Sequence, residues 1–324
     1  MGDVAMTVPV LSAFSNANPT IKLTVLTKKQ FTPLFRDLKM VTVLSADFNT
    51  VHKGVLGLYR LSKTVRNTHI DAVADLHNVL RTKILKLLLS GIKFTQVDKG
   101  RAEKKALITS KITTPLRTTP QRYADVFRTL GFEFEIDTPI FPTPKPLGAA
   151  ITKVLRDFSN ALVGVAPFAA YASKTYPISK MDTVIFELQK ESKVLLFGGG
   201  AIETHQLEAI ASKYANVFCV AGKFSLEQEL DIISNLKVML SMDSSNGHMA
   251  AMLGVKVVTL WGVTHPFAGF APFHQIQSNN LLSDLEKYPK IPTSIYGNNY
   301  PEGYELAMQT IPVERIIKTV QDTL

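Results

Sequence analysis

Residues 237–262 read "KVMLSMDSSNGHMAAMLGVKVVTLWG", and this stretch decides the fold class that we predict for the chain. It begins and ends with apolar runs, "KVMLSM" and "KVVTLWG", which have the length of buried strands. Between them, "GHMAAML" has a helical composition, and "DSSN" (243–246) supplies residues that favour turns and helix starts. A strand, a turn, a helix and a second strand form the repeating unit of a parallel sheet with crossover helices.

Three further apolar runs in the second half of the chain resemble the two in this stretch. They are "ALVGVAP" (161–167), "KVLLFGGG" (193–200) and "NVFCVAG" (216–222). Continuous apolar runs of this length are typical of strands covered on both faces. In "SLEQELDIISN", Ser225 and Gln228 form the signature of a capping box at a helix start. We therefore predict a doubly wound α/β domain in this half.

The first half of the chain also alternates strand and helix patterns. Its predicted strands are "IKLTVLT" (21–27), "VTVLSA" (41–46), "IDAVADLH" (70–77) and "IKFTQV" (92–97). The stretch 136–148, "IDTPIFPTPKPLG", is rich in proline, which stiffens the chain and cannot donate to a β-ladder.

We interpret this proline-rich stretch as a linker between two domains. The expected N-terminal domain spans residues 1–145 and the C-terminal domain spans 150–324, with the last helix a candidate to pack back on the N-terminal domain. Because ligands of parallel sheets bind beyond the carboxyl ends of the strands, we expect the ligand site in a cleft between the domains.

The composition excludes several classes of protein. Of the 324 residues, 46% are hydrophobic and 19% are charged, which is typical of a globular chain. The single cysteine, Cys219, excludes a disulfide framework and a cysteine-rich zinc site, and it suits a cytoplasmic location. Residues 4–21 carry no charge, but they lack the basic start of a signal peptide and contain Pro9 and Pro19. No stretch reaches the roughly 18 apolar residues that a membrane span requires.

The net excess of positive charge lies entirely in the first half of the chain. Residues 1–150 contain 22 Lys and Arg against 11 Asp and Glu, whereas residues 151–324 contain 14 against 16. A chance surplus on a solvated surface is one interpretation. The other is that the first half meets an anionic partner, such as a phosphorylated lipid surface. No motif of a nucleic-acid-binding fold is present, so we expect no nucleic acid partner.

The turn "DSSN" and two other loops are candidates for binding a phosphorylated ligand. The N–H groups at the start of the predicted helix can bind an anion, although Asp243 and the serines that follow can also simply cap that helix. "FGGGAIE" (197–203) places three glycines after a strand, with Glu203 available to ribose hydroxyls or, equally, an ordinary acid in a first helical turn. Lys174 follows another strand and is either a diphosphate ligand or a solvated lysine.

Taken together, the sequence resembles glycosyltransferase family 9, the ADP-heptose:lipopolysaccharide heptosyltransferases. The motifs that carry this resemblance span nearly the whole chain: "MGDVAMTVPVL" (1–11), "DLHNVLRT" (75–82), "KGRAEKKAL" (99–107), "APFAAYASKTYP" (166–177), "FGGGAIE", the turn at 243–248 and "WGVTHP" (261–266). The resemblance implies a GT-B fold, in which two Rossmann-like domains face a cleft. It also implies a nucleotide-sugar donor, an anionic lipid-linked saccharide acceptor and peripheral contact with the inner membrane.

The resemblance further assigns roles to individual residues. Asp3 matches the acid proposed as the catalytic base, Lys174 matches the lysine that faces the donor diphosphate, and the turn from Asp243 matches the donor-binding turn. The complete donor-side prediction is Ser173, Lys174, Gly199, Gly200, Glu203, Asp243, Ser244, Ser245, Gly247 and His248. The basic residues predicted to meet the acceptor are Arg81, Lys99, Arg101, Lys104 and Lys105.

The predicted reaction is an inverting glycosyl transfer. Asp3 takes a proton from the acceptor hydroxyl, which attacks the anomeric carbon and expels the nucleoside diphosphate. Lys174 and the helix start meet the leaving charge, and we expect neither a metal ion nor an organic cofactor. Two alternatives are a GT-B nucleotide-sugar epimerase and a non-catalytic nucleotide- or glycan-binding protein.

One departure from the family concerns the start of the chain. Family members carry a short hydrophobic strand before the Gly-Asp pair, whereas this sequence reads Met1-Gly2-Asp3. Either the start of the chain is assigned too late or this version has lost that strand. We expect the natural product to begin about ten residues upstream, a length that fits a strand and a turn, with an apolar run leading into Gly2-Asp3.

Overall fold

A computed structural model of the chain describes residues 1–155 and 161–324 and divides into two compact units. The first unit comprises Met1, Asp3–Arg101 and Arg117–Ile140, and the second comprises Gly2, Ala102–Leu116 and Phe141–Leu324. The units separate between Ile140 and Phe141, inside the proline-rich stretch. The predicted domain boundaries at 145 and 150 stay predictions.

The first 140 residues form short parallel strands and amphipathic helices. The strands are β1 (Leu23–Lys28), β2 (Val41–Ala46), β3 (Ala72–Asp75) and β4 (Lys93–Gln96). The helices are α1 (Gly2–Ala5), α2 (Thr7–Ala17), α3 (Gly54–Arg66), α4 (Leu80–Leu88), α5 (Arg101–Ile108) and α6 (Thr119–Thr129). All four strands lie where the apolar runs predict them.

The strands of the first unit form two separate sheets rather than one. β1 pairs in parallel with β2, and β3 pairs in parallel with β4, with no ladder between these pairs among the described residues. Side chains join the two pairs instead. Leu58 and Leu61 of α3 and Leu85 of α4 belong to one core that includes Leu26 of β1 and Val73 of β3. Hydrophobic packing therefore supplies the cohesion that a continuous ladder gives elsewhere.

The second unit contains a continuous six-stranded parallel sheet. Its strands are β5 (Leu162–Ala166), β6 (Lys193–Leu196), β7 (Val217–Cys219), β8 (Val238–Met242), β9 (Lys256–Trp261) and β10 (Asn280–Leu282), and their order across the sheet is β10, β9, β8, β5, β6, β7. Its remaining helices are α7 (Ala149–Leu155), α8 (Ile178–Leu188), α9 (Gly200–Ala211), α10 (Leu226–Ser234), α11 (Ser245–Met252) and α12 (Val313–Thr323). The α/β fold class is confirmed.

The sheet of the second unit is covered by helices, which explains its continuous apolar runs. Every residue of β5 and of β8 is buried. Ile316 and Val320 of α12 belong to the same core, and α12 packs against α8. The predicted capping box is present at α10, where the Ser225 hydroxyl accepts from the Gln228 amide N–H and the Gln228 side chain accepts from the Ser225 N–H. Within the described ranges, no helix has the length and apolar character needed to span a membrane.

Candidate functional site

Four loops of the second unit lie at the carboxyl ends of adjacent strands. The loop after β5 contains the short 3₁₀ turn Ala172–Lys174, and β6 runs through Gly198 and Gly199 into α9. β8 leads through Asp243 and Ser244 into α11, and β9 leads into residues 262–265. Because β9, β8, β5 and β6 are neighbours and all parallel, these loops meet at one edge of the sheet.

At the centre of this edge, Lys174 and Asp243 form a buried ion pair. The Lys174 ammonium lies 3.0 Å from the Asp243 Oδ2 atom, and the Thr264 hydroxyl donates to the same oxygen at 3.0 Å. Lys174 and Asp243 are each 9% exposed. A buried carboxylate requires such partners, because an uncompensated charge away from water is costly. The Asp243 carboxylate therefore holds the lysine of one loop against the threonine of another.

Two glycines allow the backbone to close around Lys174. A Cβ atom on Gly297 would lie 2.7 Å from the Lys174 Cγ atom, and Gly297 has a φ of +83°, which favours glycine. A Cβ atom on Gly262 would lie 2.2 Å from the Ser173 carbonyl oxygen. The Ser173 hydroxyl in turn donates to the Gly297 carbonyl. The lysine stem is thus enclosed by segments that lie far apart in the sequence.

The turn after β8 presents the start of α11 at the same edge. Ser244 is the N-cap residue of this helix, but its side chain makes no capping hydrogen bond to the helix backbone. The Ser244 hydroxyl lies 3.2 Å from that of Ser241 instead. Gly247 packs tightly, since a Cβ atom there would lie 3.1 Å from the Ser241 Oγ atom. The first N–H groups of α11 therefore donate no bond to the Ser244 side chain, and such groups favour an anion.

The glycine-rich loop after β6 is organised by Glu203. Its carboxylate accepts a hydrogen bond of 2.8 Å from the Gly199 amide N–H, which turns the loop back on the first turn of α9. Gly199 and Gly200 are exposed, and an added Cβ atom would have no neighbour within 4 Å at either. The loop is consequently open to a ligand, and the predicted contact of Glu203 with a ribose stays a prediction.

His265 has a structural hydrogen bond that limits its role. Its Nδ1 atom accepts from the Phe267 amide N–H at 3.1 Å. Burial lowers the pKa of His265 to about 4, so the imidazole is neutral near pH 7. The bond from Phe267 and the neutral imidazole both favour a structural role for His265.

The sequence model described as glycosyltransferase family 9 (heptosyltransferase) matches residues 58–297. This match covers most of both units and includes every donor-side residue predicted above. The chain belongs to glycosyltransferase family 9. It is therefore a glycosyltransferase, and the resemblance drawn from the sequence motifs is confirmed.

The chain is also similar to two lipopolysaccharide heptosyltransferases. The lipopolysaccharide core heptosyltransferase OpsX of Haemophilus influenzae is 24% identical over 89% of this chain and 82% of its own length. Lipopolysaccharide heptosyltransferase 3 of Escherichia coli is 22% identical over 100% of this chain and 96% of its own length. Similarity to both therefore extends well beyond the region that the family model matches.

Solved structures of family 9 proteins have the same fold. The family 9 glycosyltransferase of Veillonella parvula gives a TM-score of 0.76 at 18% identity, covering 99% of this chain and 94% of its own. E. coli ADP-heptose lps heptosyltransferase II gives a TM-score of 0.69 at 17% identity, covering 99% and 95%. These similarities confirm the GT-B fold class for this family 9 chain.

The predicted base of this family 9 chain, Asp3, lies in the first turn of α1 and is exposed. The charge of Asp3 affects the pKa of His77. Partial desolvation lowers the His77 pKa below its ordinary value, Lys99 lowers it further, and Asp3 and Asp75 oppose the shift. Asp75 is buried and shapes the turn that carries His77, because its Oδ1 atom accepts from the His77 and Asn78 amides at 3.0 and 2.9 Å. The role of Asp3 as base stays a prediction.

The five basic residues predicted to meet the acceptor fall into both units. Arg81, Lys99 and Arg101 belong to the first unit, and Lys104 and Lys105 belong to the second. The Arg81 guanidinium lies 4.1 Å from the Phe48 ring centroid, a cation–π contact. The Lys104 ammonium lies 4.1 Å from the Phe270 ring centroid, and Lys104 is only 9% exposed. Contact of these five residues with an acceptor stays a prediction.

Three of the residues described above were missed in the sequence. Thr264 carried a signal, because "WGVTHP" follows β9 at the predicted edge. Gly297 carried none, since it lies in an irregular segment beyond β10. His77 stood within "DLHNVLRT" but had no assigned partner. Among the residues that the structure describes, no three His, Cys, Asp or Glu side chains converge as a metal site would require.

Proposed function

We propose that this glycosyltransferase moves a heptosyl group from an ADP-sugar to a lipopolysaccharide core or lipid A-linked saccharide, with inversion and without a metal ion. The proposal rests on the family match and on relatives named as lipopolysaccharide heptosyltransferases. E. coli heptosyltransferase WaaC has been solved with ADP and with ADP-2-deoxy-2-fluoro heptose. Membership of a transferase family favours transfer over the epimerase alternative.

The main support for the proposal is the position of Lys174, which lies beside the start of α11. Asp243 and Thr264 fix the lysine at the carboxyl edge of β5 and β8, where α11 directs its first N–H groups. A cation and preorganised amides are the groups that stabilise charge developing on a diphosphate. We assign the donor diphosphate to this position, with Gly199, Gly200 and Glu203 beside the nucleoside.

The proposed transfer follows from this assignment. The Asp3 carboxylate takes the proton of the acceptor hydroxyl as its oxygen forms a bond to the anomeric carbon. The bond from that carbon to the diphosphate oxygen breaks, and its electron pair stays on the leaving ADP. Lys174 and the α11 amides stabilise that charge, which a metal ion stabilises in many other phosphate sites. We propose that the reaction takes place in the cytoplasm, where the free thiol of Cys219 would stay reduced.

The test of this proposal is acceptor-dependent release of ADP. Purified protein is mixed with ADP-heptose, with and without a lipopolysaccharide core saccharide, and both ADP and the extended saccharide are measured. Release only in the presence of acceptor is the expected result. Binding of the donor with no product under any condition would support the non-catalytic alternative, and a changed sugar on ADP would support the epimerase.

Variants then test the individual roles. Asp3→Asn is expected to abolish turnover and leave ADP binding nearly unchanged, because the carboxylate acts on the acceptor. Lys190→Met is the matched control for substitutions at Lys174, since Lys190 forms an exposed ion pair with Glu187. It is expected to retain both activity and ADP affinity.

A further inference from the structure

Helices α3 and α4 of the first unit expose an unusual amount of apolar surface. On these two helices, five large hydrophobic side chains face solvent: Val55 (63% exposed), Leu56 (76%), Tyr59 (47%), Leu80 (75%) and Leu87 (77%). The inward sides of the same helices already pack into the core through Leu58, Leu61 and Leu85. The exposed residues therefore form a second apolar surface, which we call the α3–α4 face, and such contiguous surfaces mark interaction sites.

The exposed residues of the two helices belong to one surface. Val55 and Leu80 line the same groove between α3 and α4, which has a volume of about 400 Å³. Tyr59 follows Val55 by four residues on α3, and Leu87 follows Leu80 by seven on α4, so helical periodicity places each pair on one side. Leu58 and Ile84 also line the groove. The α3–α4 face thus has an apolar centre.

All charged side chains of these helices are basic. α3 carries Arg60, Lys63 and Arg66, and α4 carries Arg81, Lys83 and Lys86, whereas neither helix contains Asp or Glu. Three of these cations lie over aromatic rings: Arg81 over Phe48 at 4.1 Å, Lys63 over Tyr59 at 4.7 Å and Lys86 over Phe94 at 5.8 Å from the ring centroid. Basic groups consequently stand among the exposed apolar groups.

We propose that the α3–α4 face docks onto an anionic lipid bilayer, with Leu56 and Leu80 inserted below the headgroups and the basic residues among the phosphates. Apolar residues with interleaved Lys and Arg have this preference, because acyl chains and anionic headgroups satisfy both at once. A bilayer offers negative charge in every lateral orientation, which matches two helices that carry six basic residues and no acid. The inference deepens the proposed function, since a lipid-linked acceptor is presented at such a surface.

Co-sedimentation with vesicles tests the docking. The wild-type protein is expected to bind vesicles of phosphatidylglycerol and phosphatidylcholine, and to bind less as NaCl is raised. Leu56→Ser with Leu80→Ser should lower the partition coefficient at least tenfold at unchanged charge. Lys83→Gln with Lys86→Gln should lower it about fivefold per residue and weaken the dependence on salt. Ile276→Ser, on an apolar residue of the second unit that is 64% exposed, is the matched control and should bind as the wild type does.

A fluorophore at position 80 distinguishes insertion from adsorption. The only cysteine, Cys219, is 3% exposed, so a thiol introduced by Leu80→Cys can be labelled selectively. An environment-sensitive dye there should shift to shorter wavelength when anionic vesicles are added, whereas the same dye on Ile276→Cys should not.

Three results would overturn the docking proposal. They are no binding of the wild type to anionic vesicles at low salt, wild-type binding by the Leu56 and Leu80 double variant, and an unshifted dye at position 80. Neither donor nor acceptor is present in these assays. A negative result therefore leaves the proposed transfer standing, and a failed transfer assay leaves the docking standing.

Discussion

The buried ion pair between Lys174 and Asp243 gives the sharpest test of the site. Replacing Lys174 with Met keeps the stem and removes the ammonium, while the Thr264 hydroxyl still donates to the Asp243 carboxylate. At 3.0 Å and an effective dielectric constant of about 20, the lost attraction is about 5.5 kcal/mol. Removing one partner of a buried pair typically costs about 3–5 kcal/mol of unfolding free energy, and we expect Lys174→Met to fall in that range.

Adding Asp243→Asn to Lys174→Met should recover part of this loss. The amide is neutral and needs no counterion, so we expect a recovery of at least about 2 kcal/mol relative to Lys174→Met. Urea denaturation followed by circular dichroism gives the unfolding free energies. Lys190→Met, which breaks the exposed pair with Glu187, should cost less than about 1 kcal/mol.

Binding of ADP by the same variants separates stability from donor recognition. Loss of one charge-assisted diphosphate contact should cost about 2 kcal/mol, or about thirtyfold in affinity by calorimetry. The double variant should regain stability while its affinity for ADP stays low. If ADP binds the double variant as tightly as the wild type, Lys174 has only a structural role. A loss of stability below about 1 kcal/mol for Lys174→Met would refute the buried pair itself.

Three further predictions concern the glycine beside Lys174, a partly buried acid and a helix cap. Gly297→Ala should lower the affinity for ADP and cost on the order of 2 kcal/mol of stability. Gly303 is the control, because its φ is +84° but an added Cβ atom would have no neighbour within 4 Å. Gly303→Ala should therefore cost only the backbone strain, about 1 kcal/mol. Burial raises the pKa of Glu229 to about 7 from an ordinary 4.5. Between pH 4.5 and pH 7, the folded chain therefore binds more protons than the unfolded chain. Its stability falls as the pH rises through this range. Glu229→Gln should therefore raise the melting temperature at pH 8 and not at pH 4. The control is Glu227→Gln, at an exposed residue, which should raise the melting temperature at neither pH. Equal shifts for Glu229→Gln at both pH values would contradict the raised pKa of Glu229. Ser225→Ala should cost about 1 kcal/mol and Ser225→Gly only a few tenths, and a loss for Ser225→Ala that is also no more than a few tenths would show that the cap hydrogen bond contributes little.

Local patterns in the sequence predict the second unit well. Five of its six strands lie in the apolar runs, because strands covered on both faces must be apolar along their whole length. β10 was missed, since three residues give too short a pattern to stand out. The capping box at Ser225 was found because all its atoms belong to one local segment.

The candidate site was only partly accessible to sequence reasoning. Lys174 and Asp243 were each singled out for their position after a strand, but the bond between them joins residues 69 positions apart and has no local signal. The contact of Gly297 with Lys174 is likewise a product of tertiary packing. In the first unit, the strands were predicted but their separation into two pairs was not, because an apolar run does not specify its neighbours.

The separate strand pairs of the first unit have a consequence for local opening. Within the described ranges, β1 and β3 each have one ladder neighbour, whereas β5 is held by β6 on one side and β8 on the other. Amide hydrogens on an unpaired strand edge exchange with solvent through small fluctuations, while those in a sheet centre wait for cooperative unfolding. In deuterated buffer, peptides from β1 and β3 should therefore take up deuterium well before those from β5 and β8. Local unfolding should accordingly begin in the basic N-terminal half, while the six-stranded sheet of the second unit is still folded.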